Sequence, residues 1–375
     1  MKEQAMNRAI KYRAYPTAEQ LTLFIKTCGC VRSYWNHALA DSEEFLAAAG
    51  KVYIPTPAAY KKEFPYLKEV DSLALCNAQL NLKSAWHKCF SEKDVSAPKY
   101  KSRKKNNVTS YTTNKVGGNI LLGKNSIKLP KMGLLHISKH RSPQNGWTLK
   151  SATVSMTAGK MYVSVLFDIK DREVSKKEIT SETDILGLDY SMPKLYIDSN
   201  GNEPDYKHPY YKAQEKLAVE QRKFSKMAAG SHNREKQKKK IAAIQEKIAN
   251  QRKEFCHVRS TQISNEYAAV AVEDLNLRGM AGALQFGKRV GDNGFGMFRR
   301  MLEYKLSAKG GQLIVIDKWY PSTQTCSICG YIHSGEDRLS LEDRLWICPC
   351  CGTQHDRDIN AALNIRNVAF SMISA

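Results

Sequence analysis

Two C-x-x-C knuckles, Cys326-Ser327-Ile328-Cys329-Gly330 and Cys348-Pro349-Cys350-Cys351-Gly352, stand with 18 residues between them near the end of the chain. A knuckle folds back so that both thiolates face one cation, and two knuckles complete a tetrahedron. Gly330 and Gly352 supply the permissive backbone that such tight turns need. Cys350 is a neighbouring thiol, but only Cys348 with Cys351 keeps the two-residue spacing. The predicted zinc ligands are Cys326, Cys329, Cys348 and Cys351, and four sulfurs without an open position predict a structural ion. Cys28, Cys30, Cys76, Cys89 and Cys256 fall in helical patterns and read as small buried apolar residues.

The rest of the chain is too long for one hydrophobic core: 375 residues predict two or more domains. No run of about 18 apolar residues occurs, so no transmembrane helix is expected. The start lacks an apolar signal core, so a cytoplasmic protein is expected. Lys and Arg number 58 against 37 Asp and Glu, a net charge of +21. That charge is concentrated. Residues 95–167 contain 13 Lys/Arg and no carboxylate, and residues 212–259 carry a net +9, leaving the remainder near −1. A carboxylate would oppose the counterion release that drives phosphate binding, so its absence over 73 residues points to a nucleic-acid backbone. Anionic membrane is the rival polyanion, but no amphipathic helix with a basic face and a Trp/Phe face is evident, and no membrane partner is expected. Lys99, Lys101, Arg103, Lys104, Lys105 and Lys131 in the first segment, and Arg222 and Lys223 in the second, are the predicted contacts. Tyr100, Tyr111, Trp147 and Tyr162 are candidate stacking residues, with core packing the ordinary role for most.

Periodicity supplies the layout. Residues 7–14 alternate like a strand; apolar steps of three and four predict helices over 18–49 and 71–90, the second capped by Asp71 or Ser72. After Pro98 come short strands and turns, closing on a hairpin at 150–167. Residues 170–183 form a polar connector, followed by the apolar strand 185–190 and the hairpin strand 194–197. Two basic helices over 212–259 meet at Gly230, with Ile241, Ile244 and Ile248 as a buried stripe. Strand 267–275, helix 298–308, strand 312–317 and helix 356–368 complete an α/β order. Asp189, Glu273 and Asp358 each stand at the end of such an element, 84 and 85 residues apart, so only folding can unite them. Phosphodiester hydrolysis uses hard Mg²⁺, which carboxylates hold. Asp274 and Asp356 are neighbouring candidates between which composition cannot choose.

Several motifs then resemble one family. The carboxylate after Gly187-Leu188, the strand Val272-Glu273-Asp274-Leu275, Thr323-x-x-Cys326-Ser327-x-Cys329-Gly330 and Cys351-Gly352-x-x-His355-Asp356-Arg357-Asp358-x-Asn360-Ala361-Ala362-x-Asn364-Ile365 are similar to TnpB. TnpB proteins are transposon-encoded RNA-guided DNA nucleases related to compact type V CRISPR effectors. The resemblance spans nearly the whole chain, from Tyr15-Pro16-Thr17-x-x-Gln20 and Arg32-x-x-Trp35-Asn36 to Phe64-Pro65-Tyr66-Leu67, Ala97-Pro98-Lys99-Tyr100-Lys101-Ser102 and Lys128-Leu129-Pro130-Lys131-Met132-Gly133. It implies a multidomain α/β protein: a β-barrel wedge domain (1–17 and 95–180) interrupted by a helical recognition insertion (18–94). An RNase H-fold, RuvC-like nuclease domain (181–322 and 353–375) would follow, with a zinc ribbon inserted at 323–352. It implies Asp189, Glu273 and Asp358 as a catalytic Mg²⁺-binding triad, a guide RNA, a double-stranded DNA target beside a short flanking motif, and a monomeric ribonucleoprotein. Ser191 stands where many members have Gly, a variant that a subset of the family shares. The alternatives are an RNA-guided repressor that does not cut and a protein-only transposase or zinc-ribbon DNA-binding factor.

Overall fold

The computed structural model describes residues 6–102, 110–169, 175–283, 287–340 and 342–374. Arg103, Lys104 and Lys105 lie outside the described residues. The chain divides into two compact units, Met1–Arg172 and Glu173–Ala375. No described helix is long and apolar enough to cross a membrane.

In the first unit, β1 (Met6–Tyr15) leads into α1 (Ala18–Ala49). The short α2 (Pro57–Tyr60) and α3 (Ser72–Ser91) follow. Then come β2 (Ser110–Asn114), β3 (Leu121–Leu122), β4 (Ser126–Leu129), β5 (Gly133–Ser138), β6 (Trp147–Thr157) and β7 (Lys160–Ile169). The strands form one antiparallel sheet in the order β2-β6-β7-β1-β5-β4-β3. Among the described residues, β2 and β3 are the outer strands of this sheet. Helix α3 lies against β2, where Asn77 of the helix donates to Asn114 Oδ1 at 2.9 Å. One continuous core joins sheet and helices through Tyr12, Phe24, Tyr34, Leu75, Val163 and Phe167.

The motifs of this unit turn out to be fold-builders. Thr17 and Gln20 form a reciprocal capping box at the start of α1. Gln20 Nε2 also donates to Leu134 O at 2.9 Å, fixing α1 to β5. Trp35 Nε1 donates to Lys99 O at 3.1 Å, and Asn36 brackets the Lys101 backbone at 2.8 and 3.0 Å. Asp71, not Ser72, caps α3. Lys131 and Gly133 both adopt positive φ in the β4–β5 turn.

The second unit is built on a four-stranded sheet, β11-β10-β8-β9. Its strands are β8 (Ile185–Ser191), β9 (Leu195–Asp198), β10 (Ala269–Glu273) and β11 (Gln312–Ile316). β8 pairs antiparallel with β9, whereas β8, β10 and β11 run parallel. Between β9 and β10 lie the basic helices α4 (Pro209–Ser225) and α5 (His232–Glu266). α5 runs seven residues past the predicted end because Ser260, Ile263 and Ser264 continue its buried face. Of its expected apolar stripe, Ile248 is buried while Ile241 and Ile244 are half-buried. α6 (Leu277–Ala283), α7 (Gly287–Asn293) and α8 (Phe295–Ser307) connect β10 to β11. The knuckle segment contributes β12 (Leu345–Ile347) and β13 (Gln354–Asp356), and α9 (Arg357–Ser374) ends the chain.

Parallel strands covered on both faces need apolar side chains on both. Leu186, Leu188, Val270 and Val272 pack with Cys256, Ile263, Phe298 and Leu302 on one face. Ile185, Ala269, Ala271 and Ile316 pack with Ile365 and Ala369 of α9 on the other. Gly187 belongs to the α9 face: a Cβ there would stand 2.1 Å from Ala362 O and 2.9 Å from Arg366 N. Only glycine lets the helix lie this close to β8.

Candidate functional site

The alternation that buries Ile185 and Gly187 against α9 carries Asp189 to the same face at the end of β8. Val272 is the register partner of Leu188, so Glu273 follows beside Asp189 on the adjacent parallel strand, about 4.8 Å across the ladder. Asp358 sits in the first turn of α9, where the positive end of the helix dipole favours a carboxylate. All three are partly exposed, at one end of a dry core. Burial pushes the Asp189 carboxyl well above its usual range, and the Glu273 and Asp358 charges add to this, with Arg357 opposing. Glu273 is likewise raised by burial, against the pull of Ser322, whose hydroxyl donates to it at 2.6 Å. Asp358 instead has cationic partners: Arg344 Nη1 lies 2.8 and 3.1 Å from its two oxygens, and Arg357 Nη2 3.3 Å from Oδ1. The three carboxylates are thus within electrostatic reach of one another, although their oxygens are not drawn together as closely as the cysteine sulfurs of the two knuckles.

The neighbouring acids have other work. Asp356 Oδ1 accepts from the backbone N–H groups of Asp358 and Ile359 at 3.0 Å, capping α9. Asp274 is exposed beside Arg299 at 3.4 Å. Ser191 is buried at the end of β8, and its φ is not among the positive ones, so serine is accommodated without strain. Its carbonyl and that of Met192 accept from the buried Asn293 amide at 3.0 Å, which steadies the chain just past Asp189.

The four predicted zinc ligands come together with their sulfurs within 4.8 Å of one another. Cys326 and Cys351 lie 3.7 Å apart, Cys329 and Cys348 3.6 Å. A tetrahedral thiolate site with metal–sulfur bonds of about 2.3 Å has edges of about 3.8 Å, so the cluster fits a metal ion. Among the described residues, it is the one group of three or more His, Cys, Asp or Glu side chains drawn this close. The Thr353 hydroxyl beside Cys351 helps draw that thiol down to about 6, toward the thiolate that metals bind. Exposed Cys350 is not in the cluster. His355, which the spacing argument passed over, stands 3.2 Å from Cys326 Sγ and packs on Trp346.

Two asparagines of α9 join cysteine cluster and carboxylates. Asn360 donates to Thr325 O at 2.7 Å and accepts from Ser327 N at 2.9 Å. Asn364 donates to Ser322 O at 2.8 Å and Thr325 O at 2.6 Å. Ser322 in turn holds Glu273. The i, i+4 spacing of the asparagines on an otherwise apolar helix face was the sequence signal for this clamp.

The predicted basic contacts fare differently. Lys99, Lys131, Arg222 and Lys223 are exposed, although Lys223 lies 3.4 Å from Glu220. Lys101 is folded inward, its ammonium 3.3 Å from the Trp35 ring centroid, and burial lowers it to about 8. Tyr111 is buried, Tyr100 donates to Glu43 at 2.8 Å, and Trp147 packs on Phe167. These three serve packing or local bonding, in line with the ordinary expectation.

Three family models match the chain: a "Probable transposase" model of the OrfB/IS605 type over residues 168–284, a Cas12f1-like TNB domain over 295–365, and a helix-turn-helix domain over 6–51. In the structure, residues 6–51 hold β1 and the single helix α1. Two relatives bear the printed name "Putative RNA-guided DNA endonuclease". One, from Streptomyces pristinaespiralis, is 33% identical over 96% of this chain and 89% of its own length. The other, InsQ of Escherichia coli, is 31% identical over 96% of this chain and 91% of its own. The fold is also that of a chain in a solved structure titled "Cryo-EM structure of the Cas12f1-sgRNA-target DNA complex", at 14% identity and a TM-score of 0.59, covering 97% and 99% of the two chains. With such identity over almost its entire length, the chain belongs to the TnpB family of insertion-sequence proteins.

Proposed function

We propose that this protein is an RNA-guided DNA endonuclease that cuts beside a short flanking motif by metal-dependent phosphodiester hydrolysis. The observation that carries the reading is that Asp189 and Glu273 end adjacent parallel strands on the face that α9 covers, and that the Glu273 and Asp358 charges both act on Asp189. Family membership and the names of the relatives support it. The three carboxylates would hold catalytic Mg²⁺, two ions in the usual arrangement, which supply activated water and neutralise the leaving oxygen. Ser322 orients Glu273, Asn293 steadies the strand end beyond Asp189, and Arg357 and Arg344 balance the charge of Asp358.

The domain reading accompanies this. Residues 1–17 and 95–180 form the wedge, 18–94 the recognition insertion, 181–322 and 353–375 the RuvC-like nuclease of RNase H fold, and 323–352 a zinc ribbon. Guide RNA and double-stranded DNA are the partners of a monomeric ribonucleoprotein in the cytoplasm. The exposed Lys99, Lys131, Arg222 and Lys223 would neutralise phosphates, while base pairing selects the target.

Sequencing the nucleic acid that copurifies with the full chain tests the guide. One discrete RNA species is expected, and the purified particle with Mg²⁺ should cut DNA that matches it. Absence of RNA would favour a protein-only transposase, and RNA-dependent binding without cutting would favour a repressor. The zinc assignment is tested separately. Metal analysis should find about one Zn²⁺ per chain, lost in Cys326→Ser and Cys351→Ser with destabilisation of the second unit. Unchanged zinc content in both variants would sink it.

A further inference from the structure

Trp319 is 79% exposed, although an indole is among the side chains that gain most from burial. The loop that presents it is ordered by its own hydrogen bonds. Asp317 Oδ1 accepts from Trp319 N–H at 2.8 Å, Tyr320 N–H donates to Asp317 O at 3.2 Å, and Ser322 N–H to Tyr320 O at 2.8 Å. Both ends of the loop return to one carboxylate. Ile316 is the register partner of Glu273, and the Ser322 hydroxyl donates to Glu273 Oε1 at 2.6 Å. Trp319 is three residues from either anchor, so its Cα lies within about 11 Å of both. The Lys318 ammonium stands 4.8 Å from the indole centroid. An aromatic face with a cation beside it, on a loop whose two ends meet Glu273, matches a nucleotide better than any other ligand: the base stacks and the phosphate meets the lysine. An acidic peptide would answer the lysine but leave the indole in water.

Resting on the nuclease reading above, we propose that Trp319 is a stacking platform for an unpaired base of the DNA strand delivered to Asp189, Glu273 and Asp358. Stacking on a preorganised loop sets where the chain of phosphates runs relative to the carboxylates. Trp319 is thus a positioning residue, and Lys318 holds the phosphate attached to the stacked base.

The test uses the full-length particle as purified, in an Asp189→Ala background so that nothing is cut. Its probes are a short dT oligonucleotide and an abasic oligonucleotide of equal length. Trp319→Ala should weaken binding of dT by about 5- to 100-fold, leave the abasic strand unchanged, and be largely rescued by Trp319→Phe. Loss of affinity for both probes alike, or for neither, overturns the proposal. So does a dimer of the parent protein that Trp319→Ala dissolves, because the indole would then serve self-association. The nuclease reading fails separately, when a protein with all three carboxylates and Mg²⁺ leaves matched DNA uncut while the base-dependent binding persists.

Discussion

Asp189→Ala should abolish DNA cleavage while raising the stability of the metal-free protein. The half-buried carboxylate is desolvated and feels the Glu273 and Asp358 charges, which Arg357 and a backbone hydrogen bond oppose. Its charge therefore costs stability in the absence of a cation, and deleting it relieves both desolvation and repulsion. Cleavage goes the other way. A metal that stabilises transition-state charge contributes several kcal/mol, so losing a ligand to it should reduce the rate about a thousandfold or more. Two measurements decide the matter: cleavage of guide-matched DNA, and thermal unfolding with and without Mg²⁺. The parent should gain Mg²⁺-dependent stability in proportion to site occupancy, and the variant should not. A variant that still gains the same stabilisation would remove Asp189 from the metal site. RNA-dependent DNA binding should persist in the variant, which separates lost chemistry from lost folding.

Gly187→Ala should be strongly damaging to the second unit. Its Cβ would stand 2.1 Å from Ala362 O, a backbone atom that cannot swing aside as a side-chain tip can. Either β8 or α9 must shift, and overpacking of this kind costs about 1–3 kcal/mol or more. The expected result is a lower urea midpoint together with loss of cleavage, because the moved elements carry Asp189 and Asp358. Zinc content should be unchanged, since the knuckles are held at the other end of the asparagine clamp. A variant as stable and as active as the parent would show that the close approach of β8 and α9 is dispensable.

Much of this was legible before folding, for identifiable reasons. Helix α1 announced itself through apolar steps of three and four residues, a local signal. The parallel strands were readable as short apolar runs because both of their faces are covered. The cysteine cluster was readable because C-x-x-C spacing is itself the geometry of a knuckle. Less legible was which long side chains face solvent. Lys101 sits in a basic run yet lies on Trp35, since Asn36 and Trp35 pin the backbone around it. The end of α5 was misplaced for a related reason. Serines carry a helix onward when their neighbours have a core to face.

By itself, then, the sequence determined the types and order of the elements, the paired cysteine knuckles, the concentration of charge and three acids at element ends. These are local properties, carried by spacing and composition. Only the tertiary structure decided that Asp189 and Glu273 share a face with α9, that Asp356 caps rather than joins them, and that Ser322, Asn293, Asn360 and Asn364 hold the site in place. Those facts depend on strand register and on one close helix approach at Gly187. Register and approach are set by which buried surfaces meet across more than a hundred residues of chain, and no local pattern encodes that.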